Sequence, residues 1–258
     1  MESHENTNGF ELVYHRPDTL VDTATHYCPG CGHGVVHRVM MEVVKELGIQ
    51  EKTIGVAPVG CAVFAYHYMN VDMQEAAHGR ATAVATGIKR VLPDRFVYTY
   101  QGDGDLAAIG TSETIHTVNR GENILIMFIN NGVYGMTGGQ MAPTTLPGMK
   151  TTTSPFGRDV ATMGHPLNIT SLVAGLPGAL YVTRQSVHTP AAVRKLKKAV
   201  RFAFDAQNLN KGTCFIEVVS NCPSAWKMTP IESNKWMEDH MLPVYPVGDL
   251  KLPPPGLN

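Results

Sequence analysis

An α/β fold, a parallel sheet flanked by helices, is what this 258-residue sequence predicts. Segments of strand character alternate with segments of helical period along most of the chain. The strand segments are apolar throughout rather than at every second residue, as strands covered on both faces must be. Two of them end in glycine-rich polar tips, at Asp103 and Asn131, and ligands of such sheets sit beyond the carboxyl ends of the strands.

Residues 1–27 read as an irregular arm. From Gly32 the pattern is helical: Val35, Val36, Val39, Met40, Val43, Val44 and Leu47 make one stripe, and Arg38, Glu42, Lys45 and Glu46 fill the other face. Residues 53–60 (TIGVAPVG) read as a short buried strand, 79–93 as a helix rich in small residues, and 95–100 (RFVYTY) as a strand. A helix over 105–119, closed by Gly121, leads to the near-continuous apolar strand 123–130 (NILIMFIN). Residues 169–175 read as a helix and 179–184 as a strand. The helix 189–207 has Thr189 as its N-cap and Pro190 in its first turn, and 213–220 (TCFIEVVS) is the last strand. The loop 140–168 and the tail 223–258, with five prolines after Met241, fall outside the alternation. One α/β domain is therefore expected over 1–222, followed by a tail that makes a subunit contact.

Hydrophobic residues are 43% of the chain and the net charge is −1, which fits an ordered globular protein. With 21 basic against 22 acidic residues there is no overall cationic field for nucleic acid. Arg194, Lys195, Lys197, Lys198 and Arg201 read as a solvated helix face. No apolar run approaches the roughly 20 residues of a membrane span. The polar N-terminus lacks a signal-peptide core, so a cytoplasmic protein is expected. The five cysteines then read as free thiols or metal ligands rather than disulfides.

Asp103 follows a strand and lies between Gly102 and Gly104, which permit tight turns and close approach of a ligand. The helix beginning near Asp105 aims free N–H groups at the same spot, a natural phosphate site. A carboxylate would repel that phosphate unless a cation lay between them, and Mg²⁺ suits shared phosphate oxygens. Asn131, at the tip of the next strand, and the carbonyl of Val133 could reach the same ion. The plainer alternative makes Asp103 a helix cap and 130–132 a turn.

Cys28 and Cys31 form a C-x₂-C pair in YCPGCGHG, Cys61 stands in PVGCAVF, and Cys222 precedes Pro223. Cys214 alternates with apolar residues inside a strand and reads as core. Spacing alone leaves an iron–sulfur cluster, a zinc site and unligated thiols all open.

The run GDG, helix, apolar strand, NN resembles the thiamine diphosphate motif of thiamine-dependent enzymes. Its continuation YGMTGGQ (134–140), together with CPGCGHG, GC and CP in that order, resembles the β subunit of 2-oxoacid:ferredoxin oxidoreductases over roughly 24–222. The resemblance implies the thiamine diphosphate-binding, or PP-type, fold. It implies that Asp103, Asn131 and the Val133 carbonyl hold Mg²⁺. Gly60, Cys61, Ala62, Val63, His78, Gly102, Gly104, Asp105, Gly135, Met136 and Thr137 would line the cofactor. Cys28, Cys31, Cys61 and Cys222 would bind one 4Fe–4S cluster. The implied reaction is oxidative decarboxylation of a 2-oxoacid to an acyl-CoA and CO₂, with electrons passing through the cluster to ferredoxin. The glutamate that activates the cofactor lies on an α subunit in this family, so the chain is expected to be inactive alone; γ and ferredoxin-like subunits would complete the complex. In some relatives the residue three after the GC cysteine is a lysine that grips the substrate carboxylate. Here it is Phe64, which leaves pyruvate, 2-oxoglutarate and branched 2-oxoacids all open. A non-redox thiamine-dependent decarboxylase or synthase subunit, and a non-catalytic metal-stabilised binding subunit, are the rival readings.

Overall fold

The computed structural model describes residues 13–256; the first twelve residues of the expected N-terminal arm and the last two of the tail lie outside them. Helix α1 (His33–Leu47) precedes strand β1 (Thr53–Pro58), and β2 (Asp72–Ala76), α2 (Ala81–Val91) and β3 (Phe96–Gly102) follow. A π-helical turn over Asp105–Ile109 then leads into α3 (Thr111–Asn119), β4 (Leu125–Asn130) and the small hairpin β5 (Val133–Tyr134) and β6 (Gln140–Met141). Beyond it come α4 (Val160–Met163), α5 (Ile169–Ala174), β7 (Ala179–Ser186), α6 (Pro190–Gln207) and β8 (Thr213–Val219). The tail forms α7 (Pro223–Trp226), α8 (Pro230–Trp236), a π-helical turn (Met237–Met241), α9 (Leu242–Val244) and β9 (Gly248–Lys251).

The main sheet has the order β2-β1-β3-β4-β8-β7-β9. All its pairings are parallel except β9, which runs antiparallel along β7. The chain moves outward from β1 to β2, then crosses to the other side of β1 for β3. That reversal opens a crevice at the carboxyl ends of β1 and β3, where ligands of such sheets bind. Every residue of β4 is buried. Leu125, Met127 and Ile129 enter the core beneath α1 and α6, while Ile126 and Phe128 enter the opposite core with residues of α2, α3 and α5. This double burial is why the strand reads as one apolar run.

The central strands and long helices match the expectation within a few residues. Thr189 caps α6, accepting from the Ala192 N–H at 3.2 Å. The expected 105–119 helix is interrupted at Gly110, where a Cβ would sit 2.8 Å from the Gly79 carbonyl. The two edge strands escape the pattern: β2 is mostly exposed and polar, and β9 lies in the proline-rich tail. The packing does not break at residue 222. Met237, Met241 and Tyr245 pack with Val133, Leu146 and Val219 in a third core, so the segment 223–256 belongs to the same folded unit. Among the described residues no helix is long and apolar enough to cross a membrane.

Candidate active site

The loops that follow β1, β3 and β4 enclose a narrow cleft of about 100 Å³ at the carboxyl ends of the strands. Residues 59–62, 102–105 and 133–137, with Asn131, His33 and His78, form its wall. All the residues expected at the cofactor and Mg²⁺ positions are there except Val63, which opens the adjoining 3₁₀ turn Val63–His67. Two larger surface grooves, one beside Tyr14 and Lys197 and one beside Lys52 and Arg95, hold neither the strand-tip residues nor the four motif cysteines.

The register explains why the two tips meet. β3 and β4 are parallel neighbours with Gly102 opposite Ile129, so the residues just beyond them emerge side by side. Asp103 is 2% exposed. Its Oδ1 accepts from the Gly104 N–H and its Oδ2 from the Thr144 hydroxyl, both at 2.8 Å. Burial pushes its carboxyl up to about 6, although these donors and the backbone of Gly132 and Asn131 favour the charged form. Asn131 Oδ1 accepts from the Val133 N–H at 3.2 Å, which turns the chain back toward the cleft. A Cβ on Gly104 would come within 2.2 Å of the Tyr134 ring, so only glycine lets Tyr134 close over the tip.

Asp105 is buried as well. It accepts from Gln101 Nε2 (2.7 Å) and the Gly79 N–H (2.6 Å), and its Oδ1 lies 2.5 Å from His78 Nδ1. Burial pushes its carboxyl up, against these partners. The acid thus fixes the His78 ring and leaves Nε2 as the nitrogen for a ligand. His33 also lines the cleft, bonded through Nδ1 to the Tyr100 hydroxyl at 2.8 Å; burial lowers it to about 3, so it is neutral. His33 stands two residues after Cys31 in CPGCGHG and Tyr134 opens YGMTGGQ, so both lie inside motifs; Thr144 has no comparable signal.

The motif cysteines gather beside the cleft. A Cβ on Gly135 would lie 3.4 Å from both Cys61 Sγ and Cys222 Sγ. Cys31 Sγ is 4.0 Å from the Asn221 carbonyl, next to Cys222. The Cys28–Cys31 loop closes through the Cys31 N–H to the Cys28 carbonyl at 3.0 Å. Burial pushes Cys61 and Cys222 up to about 12, and neighbouring cysteines add to the rise. Cys214 stays apart in β8, buried in the core. Among the described residues no three His, Cys, Asp or Glu side chains, the motif cysteines included, are placed to hold a metal ion. A cation at the strand tips would therefore rest on one carboxylate, amide and carbonyl oxygens, and oxygens of its ligand. That hard-oxygen donor set fits Mg²⁺.

The chain is similar to known proteins. The family matched is the thiamine pyrophosphate enzyme, C-terminal TPP binding domain, over residues 58–218. Ketoisovalerate oxidoreductase subunit VorA of Methanothermobacter thermautotrophicus is 45% identical, covering 93% of this chain and 52% of that protein. The 2-oxoglutarate synthase subunit KorB of Methanocaldococcus jannaschii is 40% identical, covering 83% of this chain and 74% of that protein. A solved 2-oxoglutarate:ferredoxin oxidoreductase from Magnetococcus marinus, with 2-oxoglutarate, coenzyme A and succinyl-CoA bound, matches with a TM-score of 0.72 and 28% identity over 86% of this chain and 72% of that one. The chain spans about half the length of the ketoisovalerate relatives it matches. With the tip motifs, the sheet order and these matches in agreement, the chain belongs to the family of TPP-binding subunits of 2-oxoacid oxidoreductases.

Proposed function

We propose that the chain is the TPP-binding subunit of a 2-oxoacid:ferredoxin oxidoreductase, forming acyl-CoA and CO₂ from a branched 2-oxoacid. The observation that carries this reading is the meeting of Asp103 and Asn131 in one cleft beside the gathered cysteines. Asp103, the Asn131 amide and the Val133 carbonyl would hold Mg²⁺, and the N–H groups around Gly104 would face the diphosphate. Cys28, Cys31, Cys61 and Cys222 would hold the 4Fe–4S cluster. When bound, thiamine diphosphate supplies the nucleophilic carbon and the electron sink for decarboxylation, and the cluster supplies a one-electron acceptor. The chain's own residues orient and exclude. Asp105 holds His78 toward the ligand, and Tyr134 shields the strand tip.

Val59 and Met136 on the cleft wall are 38% and 45% exposed, as expected of a half-site covered by an α subunit. γ and ferredoxin-like subunits would pass electrons to ferredoxin. The test is turnover of the isolated native complex on a panel of 2-oxoacids with coenzyme A and a viologen dye. Oxidation of 2-oxoacids by this chain alone would refute the need for a partner.

Cys222→Ser is expected to remove the visible absorption that this chain's cluster contributes while Mg²⁺-dependent cofactor binding persists. Cys214→Ser should leave both unchanged, and bleaching in that variant would refute the ligand set. The gathered cysteines also favour the redox reading over a non-redox decarboxylase or synthase, which has no use for them.

Phe64 is what favours a branched substrate over a dicarboxylic one in this reading. Its ring, which meets His26 edge-on at 5.1 Å, carries no charge where some relatives place a carboxylate-gripping lysine. Phe64→Lys is expected to move the kcat/KM ratio of 2-oxoglutarate to ketoisovalerate upward by about 10-fold or more. An unchanged ratio would remove Phe64 from specificity. A native preference for 2-oxoglutarate would favour the dicarboxylic reading instead.

A further inference from the structure

The loop after β6 carries two adjacent threonines, Thr144 and Thr145, both fully buried. The Thr144 hydroxyl donates to Asp103 Oδ2 at 2.8 Å. The Thr145 hydroxyl donates to the Gly132 carbonyl at 2.5 Å and accepts from the Ala142 N–H at 2.9 Å. One loop therefore ties the tip of β3 to the tip of β4.

The loop is itself fixed from two sides. The Arg158 guanidinium donates to the carbonyls of Pro143, Thr145 and His165, each at 2.8 Å. On the other side the Tyr245 hydroxyl donates to the Thr144 carbonyl at 2.8 Å, and the Tyr245 ring faces the Arg184 guanidinium at 5.4 Å. A residue of the tail thus reaches the strand-tip carboxylate through one intervening residue.

We infer that Thr144 is a positioning residue for the cation-binding carboxylate of Asp103, and that Tyr245 sets its place. The Gly104 N–H holds Oδ1 and the Thr144 hydroxyl holds Oδ2, so the carboxylate cannot rotate. Its remaining lone pairs keep one direction, as outer-shell hydrogen bonds do for ligating carboxylates elsewhere. The inference rests on the reading that Asp103 holds Mg²⁺ with a diphosphate.

The test is calorimetric titration of the native complex, stripped of metal and cofactor, with Mg²⁺ in the presence of thiamine diphosphate. Thr144→Val is expected to raise the half-saturating Mg²⁺ concentration by about 10- to 100-fold. Thr144→Ser, which keeps the hydroxyl, should restore the wild-type value. Tyr245→Phe, which keeps the ring, should shift it in the same direction by less. The thermal midpoint of each stripped variant reports folding separately. A Thr144→Val protein that loses thermal stability but keeps wild-type Mg²⁺ half-saturation would overturn the inference, as would a Thr144→Ser protein as impaired as Thr144→Val. Absence of Mg²⁺-dependent cofactor uptake by the wild-type complex would overturn the underlying reading, and the inference with it.

Discussion

Replacing Asp103 with asparagine is expected to abolish Mg²⁺-dependent cofactor binding and at the same time make the ligand-free chain more stable. The carboxyl is 2% exposed, and burial lifts it from an ordinary value of 3.8 to about 6. The folded chain therefore holds this proton more tightly than the unfolded chain does. The resulting penalty is absent below the unfolded value, grows as pH rises from about 4 to 6, and is constant above. At neutral pH it amounts to about 3 kcal/mol. Asparagine removes the charge but cannot accept every hydrogen bond the carboxylate accepts, so a gain of about 1–2 kcal/mol is expected. For a chain of this size that raises the thermal midpoint by several degrees. The difference between variant and wild type should shrink as pH falls from 6 to 4. A pH-independent difference, or a destabilised variant, would show that burial of this charge is not what strains the free site.

Glu217→Ala is expected, in contrast, to destabilise the chain strongly. Glu217 and Arg184 are 1% and 2% exposed and pair at 2.5 Å. The Thr170 hydroxyl and Asn130 Nδ2 (2.7 Å) also donate to this carboxylate. Alanine leaves a guanidinium buried without its counter-charge, which costs about 3–5 kcal/mol. Chemical denaturation of the two proteins checks this. The double variant Arg184→Met, Glu217→Leu removes both charges and should recover most of the loss. If the single variant is as stable as the double, the pair carries no uncompensated charge and the account fails. Asn130 Oδ1 accepts from the Gly132 N–H at 3.2 Å, so the pair also steadies the loop that presents Asn131.

Much of this was legible in sequence. β4 is apolar at every position but its last because both faces are covered, and α1 and α6 show their buried stripes because solvent takes the other side. Asp103, Asn131 and the C-x₂-C pair stand in short local patterns that chain position alone exposes. β2 did not announce itself, because an edge strand with exposed side chains has no apolar run to read. Thr144 and Tyr245 were hidden for a different reason. Their partners are 41 and 101 residues away, and a hydroxyl donating across such a separation leaves no periodic trace. The tail read as an appendage because prolines punctuate it, yet it supplies Met237, Met241 and Tyr245 to the core.

All eight residues of β7 are buried, and β9 supplies the cover on its outer side. Stripped of those four residues, β7 would present unpaired amides and carbonyls along Val182–Arg184. Such an edge invites docking by the strands of other molecules. Proteolytic trimming behind Tyr245 should thus make the chain self-associate, with precipitation appearing before any change in the strand-tip chemistry.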